Sequence, residues 1–252
     1  MTDRPVILIT NDDGVQAKGI RALRQAVQPL ARVIVVAPTR EQSASSHSIT
    51  IDRPLRHIEH EPDVHSIDGT PADCVYLALF EPRFLPRRPD LVLSGINHGL
   101  NLGTSVFYSG TVAGAREAAM RGIAAMAFSA SADADYERVA AEAAGLAARL
   151  LAANKPSGRA VLLNVNFPKQ VSRGVRVTRV GAQIYEEHVI PRRDPAGREY
   201  FWIGGRLVDT GDQAGTDTQA VADGYTALTP LELEATNQAH MTVAAGVAGS
   251  GN

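Results

Sequence analysis

Four residues with oxygen-bearing side chains are spaced in a way that could build a cation site. Asp12 and Asp13 are adjacent in the run Asn-Asp-Asp-Gly, Ser43 lies in a serine-rich segment, and Asn97 lies in the run Gly-Ile-Asn-His-Gly. Two adjacent carboxylates repel each other unless a cation or hydrogen-bond donors offset their charge. Carboxylate, hydroxyl and amide oxygens suit Mg²⁺, Mn²⁺ or Ca²⁺ better than Zn²⁺. The pattern indicates a divalent cation, although Asn-Asp-Asp-Gly by itself is also typical of a turn that caps a helix.

A second kind of site is indicated by Ser109, Gly110 and Thr111, which precede a predicted helix. The first backbone N–H groups of a helix have no partner within it, and the helix dipole is positive at that end, so a phosphate group can bind there. The two hydroxyl groups could add hydrogen bonds to the phosphate, or could simply cap the helix. A cation site beside an anion site favours phosphoryl chemistry.

The polar segments that follow residues 6–10, 33–38 and 90–94 lie where the strands of a parallel sheet would end. These three β-branched runs alternate with helical stretches, which is the pattern of strand-helix-strand units. The loops that leave the carboxyl ends of parallel strands meet at one edge of the sheet. We therefore predict an α/β fold, with a mostly parallel sheet covered by helices on both faces.

The composition is that of an ordinary globular protein. The chain has 252 residues, of which 44% are hydrophobic, and a formal net charge of -2, so no overall basic field would attract nucleic acid. Its one cysteine, Cys74, can form no internal disulfide, and we expect it to be buried. The first residues lack the pattern of a signal peptide, and no apolar run approaches the roughly 18 residues that span a bilayer. We expect a cytoplasmic protein that binds neither nucleic acid nor membrane.

The sequence of the last third of the chain predicts successive strands without helices between them. Residues 183–189 and 199–203 are predicted to form a long hairpin with a turn between them. The hairpin carries the aromatic run Tyr-Phe-Trp at residues 200–202. Such a cluster is either a contact between subunits or a small local core.

Five motifs lie in order within about residues 5–130: ILITNDDG, VVAPTREQSASSHS, IDGTPADCV, PDLVLSGINHGLNLG and YSGTVAGAREAA. Together they resemble the survival protein E (SurE) family of metal-dependent nucleotidases. Five motifs in this order are far more specific than Asn-Asp-Asp-Gly alone. The resemblance implies a Rossmann-like domain with a hairpin and a C-terminal dimerisation arm. It also implies the hydrolysis of nucleoside 5'-monophosphates, with 3'-monophosphates and polyphosphate as further substrates.

The resemblance implies one divalent ion per subunit, Mg²⁺ or Mn²⁺, held by Asp12, Asp13, Ser43 and Asn97. This ion would act as a Lewis acid on a phosphate oxygen and would activate a water that attacks phosphorus in line with the departing nucleoside hydroxyl. One of the two aspartates would also orient or deprotonate that water.

The residues that would face the phosphate, by the same resemblance, are Asn101, Ser109, Gly110 and Thr111. They would neutralise charge on the equatorial phosphate oxygens, which is usually the largest electrostatic contribution to such reactions. The residues expected to be catalytic are therefore Asp12, Asp13, Asn101 and Ser109.

The histidines fall into two groups. His47 and His98 lie in the predicted site loops and either assist as an acid to the leaving group or are merely solvated. His57, His60 and His65 lie in a polar stretch whose spacing matches no zinc motif, so we expect them at the surface.

One alternative function uses the same pocket without turnover, as a nucleotide-binding stress regulator. Two adjacent carboxylates argue against it, because their charge opposes a phosphate unless a metal intervenes. An aspartyl-phosphate phosphatase needs two aspartates separated by one residue after the first strand, whereas Asp12 and Asp13 are adjacent.

The change of periodicity near Pro168 suggests a division of the chain. Residues 1–180 are expected to form the Rossmann-like catalytic domain. Residues 181–252 are expected to form the hairpin and an oligomerisation segment that is not an independent domain. We expect a homo-oligomer, either a dimer or a tetramer.

Overall fold

The computed structural model describes residues 4–153, 160–182, 184–208 and 214–249. The strands in chain order are β1 (Val6–Thr10), β2 (Arg32–Pro38), β3 (His57–Glu61), β4 (Val64–Ile67), β5 (Leu91–His98), β6 (Ala125–Ala130), β7 (Leu162–Phe167), β8 (Val175–Val177), β9 (Ile184–Arg193), β10 (Glu199–Val208) and β11 (Thr226–Pro230). The helices are α1 (Lys18–Val27), α2 (Pro71–Phe80), α3 (Gly110–Met120), α4 (Tyr136–Ala153), α5 (Asp217–Ala222) and α6 (Met241–Val247).

Nine of these strands form one sheet in the order β3-β4-β2-β1-β5-β6-β7-β11-β8. The six strands from β4 to β7 in that order are parallel, whereas β3 and β11 run antiparallel to β4 and β7. The predicted α/β fold with a mostly parallel sheet is therefore confirmed. Among the described residues, no helix is both long and apolar enough to cross a bilayer.

Helices cover both faces of the sheet, as the continuous apolar runs of the central strands require. All five residues of β1 are buried. Ile7 and Ile9 pack into the core beneath α1 and α4, whereas Val6 and Leu8 pack into the core beneath α2 and α3. Side chains alternate between the faces of a strand, so one strand supplies both cores.

The polar loops meet at the carboxyl edge of β1 and its two neighbours. From β1 the chain moves to β2 on one side, and later to β5 on the other side. A sheet of this kind opens a crevice where the direction of strand addition changes, and ligands bind there. The fold thus places the segments that contain Asp12, Ser43 and Asn97 around one crevice.

The edge hairpin formed by β3 and β4 was not predicted, and the expectation for His65 is wrong. His65 is buried, with 7% of its surface exposed, and its ring lies 5.1 Å from that of His57 and 5.2 Å from that of Phe84. All five residues of β3 are exposed, and its sequence His-Ile-Glu-His-Glu does not alternate between apolar and polar residues. The signal on which strand prediction rests is absent from such an edge strand.

The predicted long hairpin is confirmed as β9 and β10, which pair with each other in a separate two-stranded sheet. Three apolar side chains of β10 are exposed: Phe201 by 60%, Trp202 by 64% and Ile203 by 92%. After the hairpin the chain returns to the main sheet, where β11 lies between β7 and β8. The segments before and after residue 180 therefore share one sheet, and the division between them stays a prediction.

Candidate active site at the carboxyl edge of the sheet

Asp12 lies directly beyond β1 and is almost fully buried. Its Oδ1 accepts a hydrogen bond from the Thr111 hydroxyl, and its backbone carbonyl accepts one from the Gln42 N–H at 2.8 Å. Three segments far apart in sequence therefore meet at this residue. Burial raises the pKa of Asp12 to about 6; the hydrogen bond from Thr111 opposes this shift and the charge of Asp13 adds to it.

Asp13 lies beside the end of β5. Its Oδ2 accepts a hydrogen bond from the backbone N–H of His98 at 3.0 Å, which brings it next to Asn97. Burial raises the pKa of Asp13, and the bond from His98 partly offsets this. The imidazole of His98 forms a 3.0 Å hydrogen bond with the Tyr136 hydroxyl on α4. His98 therefore holds Asp13 through its backbone N–H, and its ring is joined to α4 by a hydrogen bond.

The other two predicted cation ligands are Ser43, in the loop after β2, and Asn97, which lies in the last residues of β5 and not in the loop after it as predicted. Asn97 donates its amide Nδ2 to the carbonyl of Gly99 at 2.9 Å, so its oxygen Oδ1 is the atom that could meet a cation. Ser43 is exposed, and its hydroxyl donates to Glu41 Oε1 at 2.6 Å. Ser43 is the donor in that bond, so the lone pairs of its oxygen remain available to a cation. The bond joins Ser43 to Glu41 and to neither aspartate.

Helix α3 begins against Asp12. Ser109 is the residue that caps it, and Ser109 Oγ accepts a hydrogen bond from the Val112 N–H at 3.0 Å. A Cβ added to Gly110 would lie 2.7 Å from Ser45 Oγ and 2.9 Å from Asp12 Cβ, closer than real Cβ atoms approach such atoms. Only glycine therefore lets the first turn of this helix approach the carboxylate so closely.

Asn101 lies at the centre of a buried amide network formed with β6 and β7. Its Nδ2 donates to Ser129 Oγ at 2.8 Å, and its backbone N–H donates to Asn166 Oδ1 at 2.8 Å. The side chain of Asn164 donates to the Asn101 carbonyl, also at 2.8 Å. The structure thus joins Asn101 to β6 and β7, and its side chain forms no hydrogen bond with Asp12 or Asp13.

Asp217 is a structural residue of the site that sequence reasoning missed. It is fully buried; its Oδ2 accepts a hydrogen bond from the Gly103 N–H at 3.0 Å, and its Oδ1 accepts one from the Gly181 N–H at 2.8 Å. It therefore fastens the loop after β5 to the C-terminal third of the chain. Only the weak sequence signal Asp-Thr at the start of α5 could have pointed to it.

The residues present fit a hard divalent cation. Their donor atoms are all oxygens, and two carboxylates lie side by side with pKa values that burial raises. A buried acid with a raised pKa is ionised at a cost unless positive charge compensates it. The absence of a side chain at Gly110 also lets the first turn of α3 lie directly against Asp12.

Known proteins that resemble this chain in sequence and known proteins that resemble it in fold belong to the same family. The family model described as "Survival protein SurE" matches residues 7–187. The 5'-nucleotidase SurE of Sorangium cellulosum is 52% identical over 234 residues, which cover 92% of this chain and 91% of that protein. The 5'-nucleotidase SurE of Pelobacter propionicus is 44% identical over 243 residues, or 94% of this chain and 97% of that protein.

A solved structure is also similar over nearly the whole chain. The crystal structure of the SurE protein from Aquifex aeolicus is 40% identical, has a TM-score of 0.85, and covers 97% of this chain and 100% of that chain. The similarity between the two structures extends beyond the five sequence motifs to the C-terminal third of this chain. From the family match, the identities and the shared fold together, we conclude that this chain belongs to the survival protein SurE family.

Proposed function

We propose that this chain is a 5'-nucleotidase that hydrolyses nucleoside 5'-monophosphates to nucleoside and phosphate, with one Mg²⁺ or Mn²⁺ ion per subunit. The observation that carries the proposal is the hydrogen bond from the Thr111 hydroxyl to Asp12 Oδ1. It joins a residue suited to a cation directly to a helix end suited to a phosphate. The names of the two relatives, both 5'-nucleotidase SurE, support the reaction class.

Four residues with oxygen ligands would hold the ion: Asp12, Asp13, Ser43 and Asn97. When bound, a divalent ion supplies Lewis-acid polarisation of a phosphoryl oxygen and makes a nearby water more acidic. Both aspartates would be ionised in that state, because a cation offsets the cost of burying their charge.

The amino end of α3 would bind the phosphate. The backbone N–H groups of Gly110 and Thr111 belong to the first turn, where a helix supplies no acceptors, so they can donate to phosphate oxygens. Ser109 Oγ accepts from Val112 N–H, and its own proton can be donated to a third oxygen. Asn101 has a second Nδ2 proton besides the one donated to Ser129. These donors would stabilise negative charge on the equatorial oxygens during reaction.

Asp13 is better suited than Asp12 to orient the attacking water. Asp12 is buried and one of its oxygens is occupied by Thr111. Asp13 is only half-buried, and the bond from His98 engages Oδ2, so Oδ1 can accept a hydrogen bond or a proton from a water. Asp12 would then act mainly as a ligand, and Asp13 as both ligand and base.

Metal removal tests the proposal. Hydrolysis of a panel of nucleoside 5'- and 3'-monophosphates and polyphosphate should fall below about one hundredth of its rate in excess EDTA, because the ion contributes several kcal/mol to the barrier. Mn²⁺ or Mg²⁺ should restore it. Circular dichroism of the EDTA-treated protein provides the control that the fold persists.

The outcomes of this experiment separate the candidate functions. Unchanged hydrolysis in EDTA would overturn the cation assignment. Nucleotide binding by calorimetry without phosphate release, with metal present, would favour the non-catalytic regulator instead.

The exposed hairpin supports a homo-oligomer, either a dimer or a tetramer. We expect Ile203→Glu to reduce the mass measured by light scattering toward the 26.8 kDa of one chain, because a buried carboxylate would disfavour the contact. Val171→Glu is the matched control, since Val171 is 72% exposed but lies outside the hairpin. An unchanged mass for Ile203→Glu would refute the hairpin contact.

The state of Cys74 is consistent with a cytoplasmic location, which we also propose. Cys74 is free and fully buried, and burial raises the pKa of its thiol well above the ordinary value. The thiol is therefore unreactive. A chain with one cysteine and no disulfide suits a reducing compartment.

A further inference from the structure

A buried carboxylate on α3, Glu117, joins that helix to the loop at residues 39–50. The Glu117 side chain is only 3% exposed. Its Oε2 accepts a hydrogen bond from His47 Nε2 at 2.9 Å, and its Oε1 accepts one from Arg121 Nε at 2.9 Å. The bond from His47 is also the main cause of the lowered pKa of Glu117. Both partners are needed because an unpaired buried carboxylate is costly.

The two partners reach Glu117 from different parts of the molecule. Arg121 lies at the far end of α3, with its guanidinium 5.4 Å from the ring of Tyr76 and 5.5 Å from the ring of Phe80, both on α2. Arg121 therefore joins α3 to α2. His47 reaches the same carboxylate from the loop that carries Ser43, so it joins the cation side of the crevice to the helix that begins at the phosphate side.

The loop needs such an attachment because its backbone is strained. Ala44 and Ser46 have φ values of +55° and +53°, in the left-handed region that non-glycine residues seldom occupy. Each such residue costs on the order of 1 kcal/mol unless its surroundings hold it. The surroundings here include the Ser46 N–H, which donates to the Tyr108 carbonyl at 3.0 Å, and the Ser46 hydroxyl, which donates to the Phe107 carbonyl at 2.7 Å.

We propose that His47 is a positioning residue for hydrolysis: through Glu117 it holds the Ser43 loop against α3, so that the cation ligands and the phosphate-binding turn keep a fixed spacing. The inference rests on the proposed function. It also assigns the Nε2 proton of His47 to Glu117 and not to the leaving group of the substrate. His47 thereby acts on the reaction through other residues.

Three variants test this assignment. His47→Ala removes the link, and His47→Gln keeps an N–H donor at nearly the position of Nε2. Arg121→Ala removes the other hydrogen-bond partner of Glu117. It is the matched control, because it also leaves Glu117 with one partner but does not release the loop that carries His47. Each is assayed for thermal stability, for Mn²⁺ affinity by calorimetry on the metal-free protein, for kcat and KM, and for hydrogen exchange at the Gln42 and Ser46 amides.

We expect His47→Ala to weaken Mn²⁺ binding and lower kcat by about 10- to 100-fold, which is the usual effect of removing a group that orients a metal ligand. KM should change less than kcat. In the metal-free protein, the Gln42 and Ser46 amides should exchange faster. His47→Gln should restore most of each property, whereas Arg121→Ala should lower the melting temperature but leave Mn²⁺ affinity and the two amides near wild type.

Equal effects of Arg121→Ala and His47→Ala on Mn²⁺ affinity and on the two amides would overturn the proposal, since they would show a general loss of stability. Unchanged Mn²⁺ affinity and amide exchange in His47→Ala would overturn it as well. If the wild-type protein binds no Mn²⁺, the proposed function fails by itself. The exchange comparison in metal-free protein still decides whether His47 holds the loop.

Discussion

Replacement of Asp12 by asparagine is expected to lower phosphate release from a nucleoside 5'-monophosphate by at least about a thousandfold, because the loss of a charged ligand removes several kcal/mol of cation-dependent stabilisation. Asparagine keeps Oδ1 as an acceptor for the Thr111 hydroxyl, so the local structure should persist. Phosphate release under saturating Mn²⁺ is the measurement. A kcat within about tenfold of wild type would remove Asp12 from the cation site.

The same variant should be at least as stable as wild type when both are free of metal. The pKa of Asp12 in the folded protein, about 6, lies above its ordinary value of 3.8, so this ionised carboxylate destabilises the fold. Below about pH 4 Asp12 is protonated and carries no such cost. The cost develops as the pH rises from about 4 to about 6, and at neutral pH it lowers the free energy of unfolding by about 3 kcal/mol. The uncharged amide of the Asp12→Asn variant avoids that cost, and the melting temperature in EDTA near neutral pH should be equal or higher.

The matched control for this variant is Asp133→Asn, which removes one negative charge at the surface. The Asp133 side chain is 77% exposed and forms a 3.1 Å ion pair with Lys169. Exposed pairs of this kind contribute little. Activity and melting temperature should both stay near wild type, so a comparable loss in both variants would point to net charge as the cause.

Gly110→Ala should lower kcat by about a hundredfold, although it adds only one methyl group. The new Cβ would lie 2.9 Å from Asp12 Cβ and 3.0 Å from Asp12 Oδ2, so either the carboxylate or the first turn of α3 must move. A displacement of about 1 Å at a reacting centre is enough for such a loss. Steady-state kinetics together with Mn²⁺ calorimetry will show whether the ion, the phosphate or both are displaced.

Gly145→Ala provides the matched control for that methyl group. Gly145 lies within α4, and a Cβ there would meet only the end of the Arg149 side chain, at 3.8 Å. Alanine is the better helix former, so this variant should be about 0.5–1 kcal/mol more stable than wild type with full activity. Full activity in Gly110→Ala would show that hydrolysis tolerates a wider spacing between Asp12 and the first turn of α3.

Much of the arrangement of the candidate site's loops was predictable because it depends on strand order. Apolar runs ended by Asp12 and by the segments that contain Ser43 and Asn97 indicate parallel strands whose exits converge, and the structure brings those exits together. The capping role of Ser109 follows from its position before a helix, and is observed. These features are local or periodic, so they are visible in sequence.

The remaining features depend on pairs of residues that are distant in sequence. Glu117 lies 70 residues from His47, and Thr111 lies 99 residues from Asp12. No spacing rule relates residues that far apart. The insertion of β11 between β7 and β8 is equally invisible, because an antiparallel return after a long hairpin leaves no periodic trace.

The contact between Asp217 and Gly103 can form only after most of the chain has been synthesised. A nascent chain that has emerged as far as α4 already contains Asp12, Asp13 and the first turn of α3. It lacks the carboxylate, 114 residues beyond Gly103, that fastens the loop after β5. Contacts this distant form late, because closing a long loop costs entropy before the contact is gained. Chains that end before α5 are therefore expected to lack this attachment of the loop after β5.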